Sequence, residues 1–83
     1  MSAIKKIRKL IAADPSNSSS QTLTRLVMSL ESGERFALAE LYELDYETFH
    51  LSLELMRDWR LHRYYTDKGK LLDLTAQVAD VRH

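Results

Sequence analysis

Residues 63–75 read RYYTDKGKLLDLT and decide which fold the sequence predicts. Two apolar runs, residues 61–65 and 71–78, flank a polar tip that contains Gly69. In the second run apolar and polar residues alternate, which is the period of a strand with one buried face. Glycine supplies the positive φ that a hairpin turn favours. The pattern predicts a C-terminal β-hairpin, and a helical interpretation of residues 76–82 stays open beside it.

The first helix is predicted at residues 2–13 and is amphipathic. It ends before Pro15, because the residue that precedes a proline avoids the α region. Basic residues fill the positions outside its apolar stripe. The stripe consists of Ile4, Ile7, Leu10 and Ile11.

A second helix is predicted at residues 19–32 from an apolar stripe with helical spacing. Ser18 and Gln21 have the spacing of a capping box at its start. Gly33 lies where a left-handed C-terminal cap is needed. The sequence therefore marks both ends of this helix as well as its buried side.

Residues 35–37 suit a very short strand and residues 38–44 a short helix. Asp45 then caps a third long helix, predicted at residues 46–60. Apolar side chains cover more than half of its circumference, which indicates a central helix packed on several sides. This arc consists of Tyr46, Phe49, Leu53, Met56 and Trp59, extended by Leu51 and Leu55. The remaining polar face consists of Glu47, His50, Glu54, Arg57 and Asp58.

Two segments resemble parts of the winged helix-turn-helix superfamily, over about residues 20–75. LELMRDWRLHRYY at residues 53–65 resembles the end of a recognition helix that runs into a strand. TDKGKLLDLT at residues 66–75 is similar to the wing tip and third strand of MarR-type regulators. In such regulators extra terminal helices commonly build a dimer interface. The resemblance implies two core helices at 19–32 and 38–44, a recognition helix at 46–60 and a wing tip at 66–70.

We therefore expect an α+β fold: a small winged-helix-like domain with three core helices, a C-terminal β-hairpin and an extra N-terminal amphipathic helix. A chain of 83 residues has room for one hydrophobic core. We expect a single domain at residues 1–83, which comprises a peripheral helix at 1–14, a polar connector at 15–20 and a core at 21–78.

Composition and motifs argue against an enzyme. The sequence has no cysteine, which favours an intracellular compartment, and it has no long apolar run that would span a membrane. It also lacks a glycine-rich phosphate loop and a nucleophile elbow. His50, Glu54 and Asp58 share one helix face, but a metal site needs ligands that converge. We expect a cytoplasmic, non-enzymatic protein without cofactor, metal, membrane or small-molecule partner.

The charge distribution bears on DNA binding. The formal net charge is zero, whereas proteins that bind DNA usually carry a basic excess. Three carboxylates oppose one arginine on the polar face of helix 46–60, the face that would enter the major groove. DNA binding is therefore the alternative function, with contacts at Lys5, Lys6, Lys9, His50, Arg57, Arg63, Lys68 and Lys70.

The preferred hypothesis is a protein–protein interaction module, an accessory or regulatory protein on a winged-helix scaffold. Its partner would be another protein or a second copy of the chain in a homodimer. Neutral overall charge and the acidic recognition face favour this function over a DNA-binding transcriptional regulator. The predicted contact residues are Ile4, Ile7, Leu10, Ile11, Leu51 and Leu55.

Overall fold

A computed structural model of the chain describes residues 2–60 and 65–81. These residues form helices joined by short connections, and none of them belongs to a strand. No helix in this part of the chain is long and apolar enough to cross a bilayer. The helices are α1 (Ala3–Ala13), α2 (Ser18–Ser32), a 3₁₀ helix (Leu38–Glu43), α3 (Tyr46–Trp59) and α4 (Tyr65–Val81).

The predicted α+β winged-helix fold is wrong, because α4 occupies the place of the hairpin. Residues 66–70, the expected wing tip, lie in the first turns of α4, and the expected strand at 71–78 continues the same helix. The open helical interpretation of residues 76–82 agrees with α4 as far as Val81. Residues 61–64 of the other predicted strand lie outside the described residues.

The buried positions of α4 explain why the alternation was misleading. Leu71, Thr75 and Val78 are buried at i, i+4 and i+7, which is the period of a helix. A strand at 71–78 would have turned Thr75 toward solvent. In α4 the Thr75 hydroxyl donates instead to the carbonyl of Leu72 at 3.0 Å, so this polar side chain is satisfied inside the bundle.

The segment between α2 and α3 lacks the predicted short strand but contains the predicted short helix. Residues 35–37 were expected to form a very short strand, but they have no regular secondary structure. The short helix expected at 38–44 exists as the 3₁₀ helix. Its Leu41 is buried, and this side chain fixes the segment to the core beside α3.

Both ends of α2 follow local chemistry. Asn17, one residue before the predicted cap Ser18, is the N-cap, and its side chain accepts from the Ser19 N–H at 2.9 Å. Gly33 adopts the predicted left-handed conformation with φ of 77°, and its N–H donates to Ser29 at 2.8 Å. The predicted left-handed C-terminal cap is therefore confirmed, whereas at the start Asn17 caps the helix through Ser19 in place of the predicted capping box of Ser18 and Gln21.

The core is organised around α1. Ile4, Ile7 and Ile11 have no exposed surface, and α1 packs against α2, α3 and α4. Although the sequence predicted a peripheral helix at residues 1–14, its apolar stripe faces the centre of the bundle. The buried apolar side chains are Ala3, Ile4, Ile7, Ile11, Leu23, Leu26, Val27, Leu41, Leu55, Leu71 and Val78.

Small hydroxyl side chains complete the packing between helices. Thr24 donates to the carbonyl of Ser20 at 2.8 Å, and Ser52 donates to the carbonyl of Phe49 at 2.6 Å. Both side chains are buried. Each of these two hydroxyls is satisfied by its own helix, so neither is an unpaired polar group. Among the described residues, the buried hydroxyl of Ser20 differs from them because it has no hydrogen-bond partner.

Candidate protein-interaction surface

Helix α3 has a buried face that differs from the predicted one. Its buried residues are mostly small or polar, and they lie on the side that packs against α1 and α2. Tyr46 and Leu53, which the sequence placed on the apolar arc of a central helix, are exposed instead. The buried side chains are Thr48, Ser52, Leu55 and Asp58.

Asp58 holds the start of α1 against the end of α3. Its Oδ2 accepts from the backbone N–H of Ala3 at 3.3 Å, and only 7% of the residue is exposed. Ser2 caps the same helix end by accepting from the Lys5 N–H at 3.2 Å. A carboxylate is favourable here because the first N–H groups of a helix point toward it. The prediction that Asp58 lies on an outward-facing recognition surface is therefore wrong.

The opposite side of α3 carries large apolar side chains, of which Tyr46 and Leu53 are exposed and Phe49 is half-buried. Rotation by about 100° per residue places it roughly 180° from the buried face. Tyr42, from the 3₁₀ helix, extends this surface, because its ring stacks on that of Phe49 with centroids 6.1 Å apart. We call this surface the aromatic ridge. It consists of Tyr42, Tyr46, Phe49, His50 and Leu53.

The rings of the aromatic ridge are ordered in pairs. The Tyr42 and Phe49 planes are inclined by 23°, and Tyr46 lies almost parallel to His50, at 8° and 6.4 Å. Nε2 of His50 also lies 3.3 Å from Oε1 of Glu54, one turn further along the helix. Yet Tyr42 and Tyr46 are 80% and 82% exposed. Each tyrosine ring therefore stacks on one neighbour while most of its surface stays uncovered.

Acidic residues surround the aromatic ridge. Residues 36–56 contain five Asp and Glu residues but neither lysine nor arginine. Glu43, Asp45 and Glu47 are all exposed. Arg57 follows one turn beyond Leu53, with its side chain 75% exposed and its Nε 3.8 Å from Oδ1 of Asp58. The ridge is therefore acidic along most of its length and has one basic residue at its C-terminal end.

The structure places the predicted protein-contact residues inside the bundle. Ile4, Ile7, Ile11 and Leu55 are fully buried in the core. Leu10 and Leu51 are half-buried and pack against the same cluster. These six side chains contact their own chain, so the exposed apolar surface of the described residues lies elsewhere.

The predicted DNA-contact residues are distributed over several helices. Lys5, Lys6 and Lys9 are exposed on α1 opposite its isoleucine stripe, and we call these three residues the basic face of α1. Lys68 is engaged within the bundle: its ammonium donates to the Trp59 carbonyl and lies 5.1 Å from the Trp59 ring centroid. Arg63 lies outside the described residues. The remaining three are exposed, His50 and Arg57 on α3 and Lys70 on α4.

The row of His50, Glu54 and Asp58 does not converge. His50 is exposed and interacts with Glu54, whereas Asp58 is buried on another side of α3 and bound to Ala3. Across the described residues, no group of three or more histidine, aspartate or glutamate side chains is arranged to hold a metal ion.

A cleft of about 420 Å³ lies between α2, the connection after it and α4. Its lining includes Arg25, Phe36 and Glu40. The guanidinium of Arg25 already pairs with the carboxylate of Glu40 and bonds the Thr22 hydroxyl at 3.3 Å. Two of the four charged side chains on this lining, Arg25 and Glu40, are therefore bound to each other, and the other two are Glu34 and Arg35.

Sequence reasoning missed Tyr42, Tyr46 and Leu53 as surface residues. The available signal was the second stripe in α3, since Tyr46, Phe49, His50 and Leu53 follow i, i+3, i+4 and i+7. A helix with apolar residues over more than half its circumference can be central, or it can have two separate faces. Because Thr48 and Ser52 are polar, a hydrophobicity pattern does not identify their side of α3 as the buried face.

Two exposed surfaces with opposite chemistry are thus present: the acidic aromatic ridge and the basic face of α1. Comparison of the chain with protein-family models, curated proteins and solved structures finds no match. The chemistry of these two surfaces is the basis of the functional argument.

Proposed function

We propose that this protein is a non-enzymatic interaction module that binds another protein through the aromatic ridge of α3. The observation that carries the proposal is the exposure of Tyr42 and Tyr46, at 80% and 82%. Large exposed apolar groups that adjoin each other commonly mark binding surfaces. Tyrosine is also enriched among the residues that dominate binding energy at protein interfaces.

The packing of α3 supports this assignment. The ridge lies opposite a face that is already buried against α1 and α2, and of the ridge side chains only Phe49 packs against the core. Intramolecular stacking also reduces the freedom of the rings before a partner arrives. A surface that is ordered in advance loses less side-chain entropy on binding.

Affinity capture from native lysate tests the proposal when the bait is compared with a matched variant. We expect the full chain to retain a protein partner whether or not nuclease is present. The double substitution Tyr42→Ser and Tyr46→Ser should abolish retention, while Lys5→Gln with Lys9→Gln should preserve it. Titration of the purified partner with the full chain then measures the dissociation constant of the complex. Equal retention by the tyrosine variant would contradict the proposal.

DNA binding is the second candidate, and the basic face of α1 favours it. Its three lysines are exposed on one helix, where they could neutralise phosphates without reading bases. Titration with duplex DNA at low salt tests this function. We expect any affinity to fall steeply with added salt and to be lost when Lys5, Lys6 and Lys9 are replaced by glutamine. Binding that survives this replacement would contradict a role for α1.

The proposal places the interaction module in the cytoplasm, in agreement with the expectation from the sequence. Fractionation of cells that produce the tagged chain, with immunodetection of each fraction, checks this location. Recovery with the cytoplasmic markers is the expected result, and recovery with membranes or an extracytoplasmic compartment would contradict it.

A further inference from the structure

We propose that the aromatic ridge recognises a basic, amphipathic segment of a partner protein. Arginine or lysine side chains of this segment would lie over Tyr42 and Tyr46 and pair with the acidic residues beside them. Apolar side chains of the same segment would cover Phe49 and Leu53. The inference rests on the proposed function and adds the chemistry of the partner.

The charge around the ridge favours a cationic partner. Glu43, Asp45 and Glu47 are exposed next to the two tyrosines. Glu47 and Glu54 are separated by two helical turns and lie on one flank of the ridge. A basic segment aligned with α3 would therefore meet carboxylates at the N-terminal end and along this flank, whereas exposed Arg57 lies at the C-terminal end, so complementary charge would direct the basic residues of the segment toward the start of α3.

The rings provide a second reason for a cation. Each tyrosine uses part of its surface to stack on a neighbouring ring, and most of the remainder is exposed. The face of an aromatic ring attracts ammonium and guanidinium groups, and guanidinium also stacks in parallel with the ring. Aromatic rings with nearby carboxylates therefore suit arginine better than a neutral polar side chain.

A second copy of the chain is a poorer occupant of the ridge. In a two-fold dimer the same patch of both copies would meet. With antiparallel α3 helices the acidic flanks would face each other, and with parallel helices the acidic N-terminal ends of both ridges would lie at the same level. Like charges placed across an interface oppose association. The neutral net charge of the whole chain does not relieve this local repulsion.

Three synthetic helical peptides of equal length test the inference against the full chain. All have leucines at i, i+3, i+4 and i+7, and the flanking residues are arginine in the first, glutamine in the second and glutamate in the third. Fluorescence anisotropy measures affinity at low salt, and amide chemical shifts locate the binding surface. We expect the arginine peptide to bind tightest and to shift residues 42–54.

Matched variants separate local from overall charge. Glu43→Gln with Glu47→Gln should weaken binding of the arginine peptide by about tenfold. Glu31→Gln with Glu34→Gln removes the same charge from exposed positions outside the ridge and should leave affinity unchanged. Tyr46→Ala should also cost about tenfold, as truncation at the centre of an interface commonly does. Circular dichroism of each variant confirms that it is folded.

The other outcomes overturn the inference in distinguishable ways. If the glutamine peptide binds the ridge as tightly as the arginine peptide, charge recognition is wrong and the proposed function stands. If the glutamate peptide binds best and shifts Lys5 to Lys9, both the partner chemistry and the assigned surface are wrong. If no peptide binds, the inference is wrong, and the capture experiment decides the proposed function separately.

Discussion

Helices α1 and α3 pack against each other, yet their sequences relate to burial in opposite ways. In α1 the isoleucines at 4, 7 and 11 are fully buried and the neighbouring lysines are exposed. In α3 the buried face consists of Thr48, Ser52, Leu55 and Asp58. Tyr46 and Leu53 of α3 are exposed. Hydrophobicity therefore identifies the inner face of α1 but not that of α3.

The difference follows from the number of apolar stripes on each helix. With only one such stripe, α1 has a single way to remove large apolar side chains from water. Helix α3 has two apolar stripes, so its neighbours decide which side is buried. Thr48 and Ser52 are small enough to pack closely, and Asp58 accepts a hydrogen bond from the start of α1. Tyr46 and Leu53 therefore remain on the outside of the bundle.

The largest expected effect compares buried and exposed residues within α1. Ile7→Ala removes a fully buried side chain from the helix that packs on α2, α3 and α4. It should lower the free energy of unfolding by about 2–5 kcal/mol. Lys6→Ala, on the exposed side, should change it by less than about 0.5 kcal/mol. Urea denaturation followed by circular dichroism measures both, and similar costs would contradict the central position of α1.

The next effect tests the polar contact that orients α3. Asp58→Ala leaves the N–H of Ala3 without its carboxylate partner, which should cost about 1–3 kcal/mol. Asp58→Asn keeps an acceptor oxygen but loses the favourable charge at the helix start, so it should cost less. Asp73→Ala removes an exposed carboxylate from α4 and is the control. If all three variants unfold at the same urea concentration, Asp58 does not position the two helices.

The two glycines extend the comparison to α4, where the alternation of apolar and polar residues led to the wrong prediction of a strand. Gly33 needs φ of 77°, so Gly33→Ala should destabilise the protein by about 1 kcal/mol. Gly69 lies within α4 and has no atom within 4 Å of an added Cβ. Gly69→Ala should therefore stabilise the protein by roughly 0.5–1 kcal/mol. Thermal unfolding followed by circular dichroism measures both, and destabilisation by Gly69→Ala would favour the hairpin that the sequence predicted.

Local signals predicted much of the first half of the chain. Pro15 and Gly33 mark helix ends through their own backbone preferences, and α1 has one clear stripe. The predicted bounds of α3, residues 46–60, also agree closely with Tyr46–Trp59. These features depend on residues within one or two turns of each other, so a single sequence is enough to identify them.

The fold class and the surface depended on contacts between distant residues. Leu72, Leu74 and Val78 fit a strand by alternation, but in the helix the buried positions are Leu71, Thr75 and Val78. The burial of Asp58 depends on Ala3, which lies 55 positions earlier in the chain. A pattern that counts threonine and aspartate as exposed cannot find such positions, and it consequently assigned Tyr46, Phe49 and Leu53 of the aromatic ridge to a buried arc.

The smallest expected effect concerns the ridge itself. Tyr46→Ala should change the free energy of unfolding by less than about 0.5 kcal/mol, since the ring is mostly exposed and contributes mainly its stacking on His50. Leu55→Ala, at a fully buried position of the same helix, should cost about 2–5 kcal/mol. Urea denaturation of the pair measures how strongly the two sides of α3 differ. A large cost at Tyr46 would mean that the ridge stabilises the bundle, and the reason for assigning it to a partner would be lost.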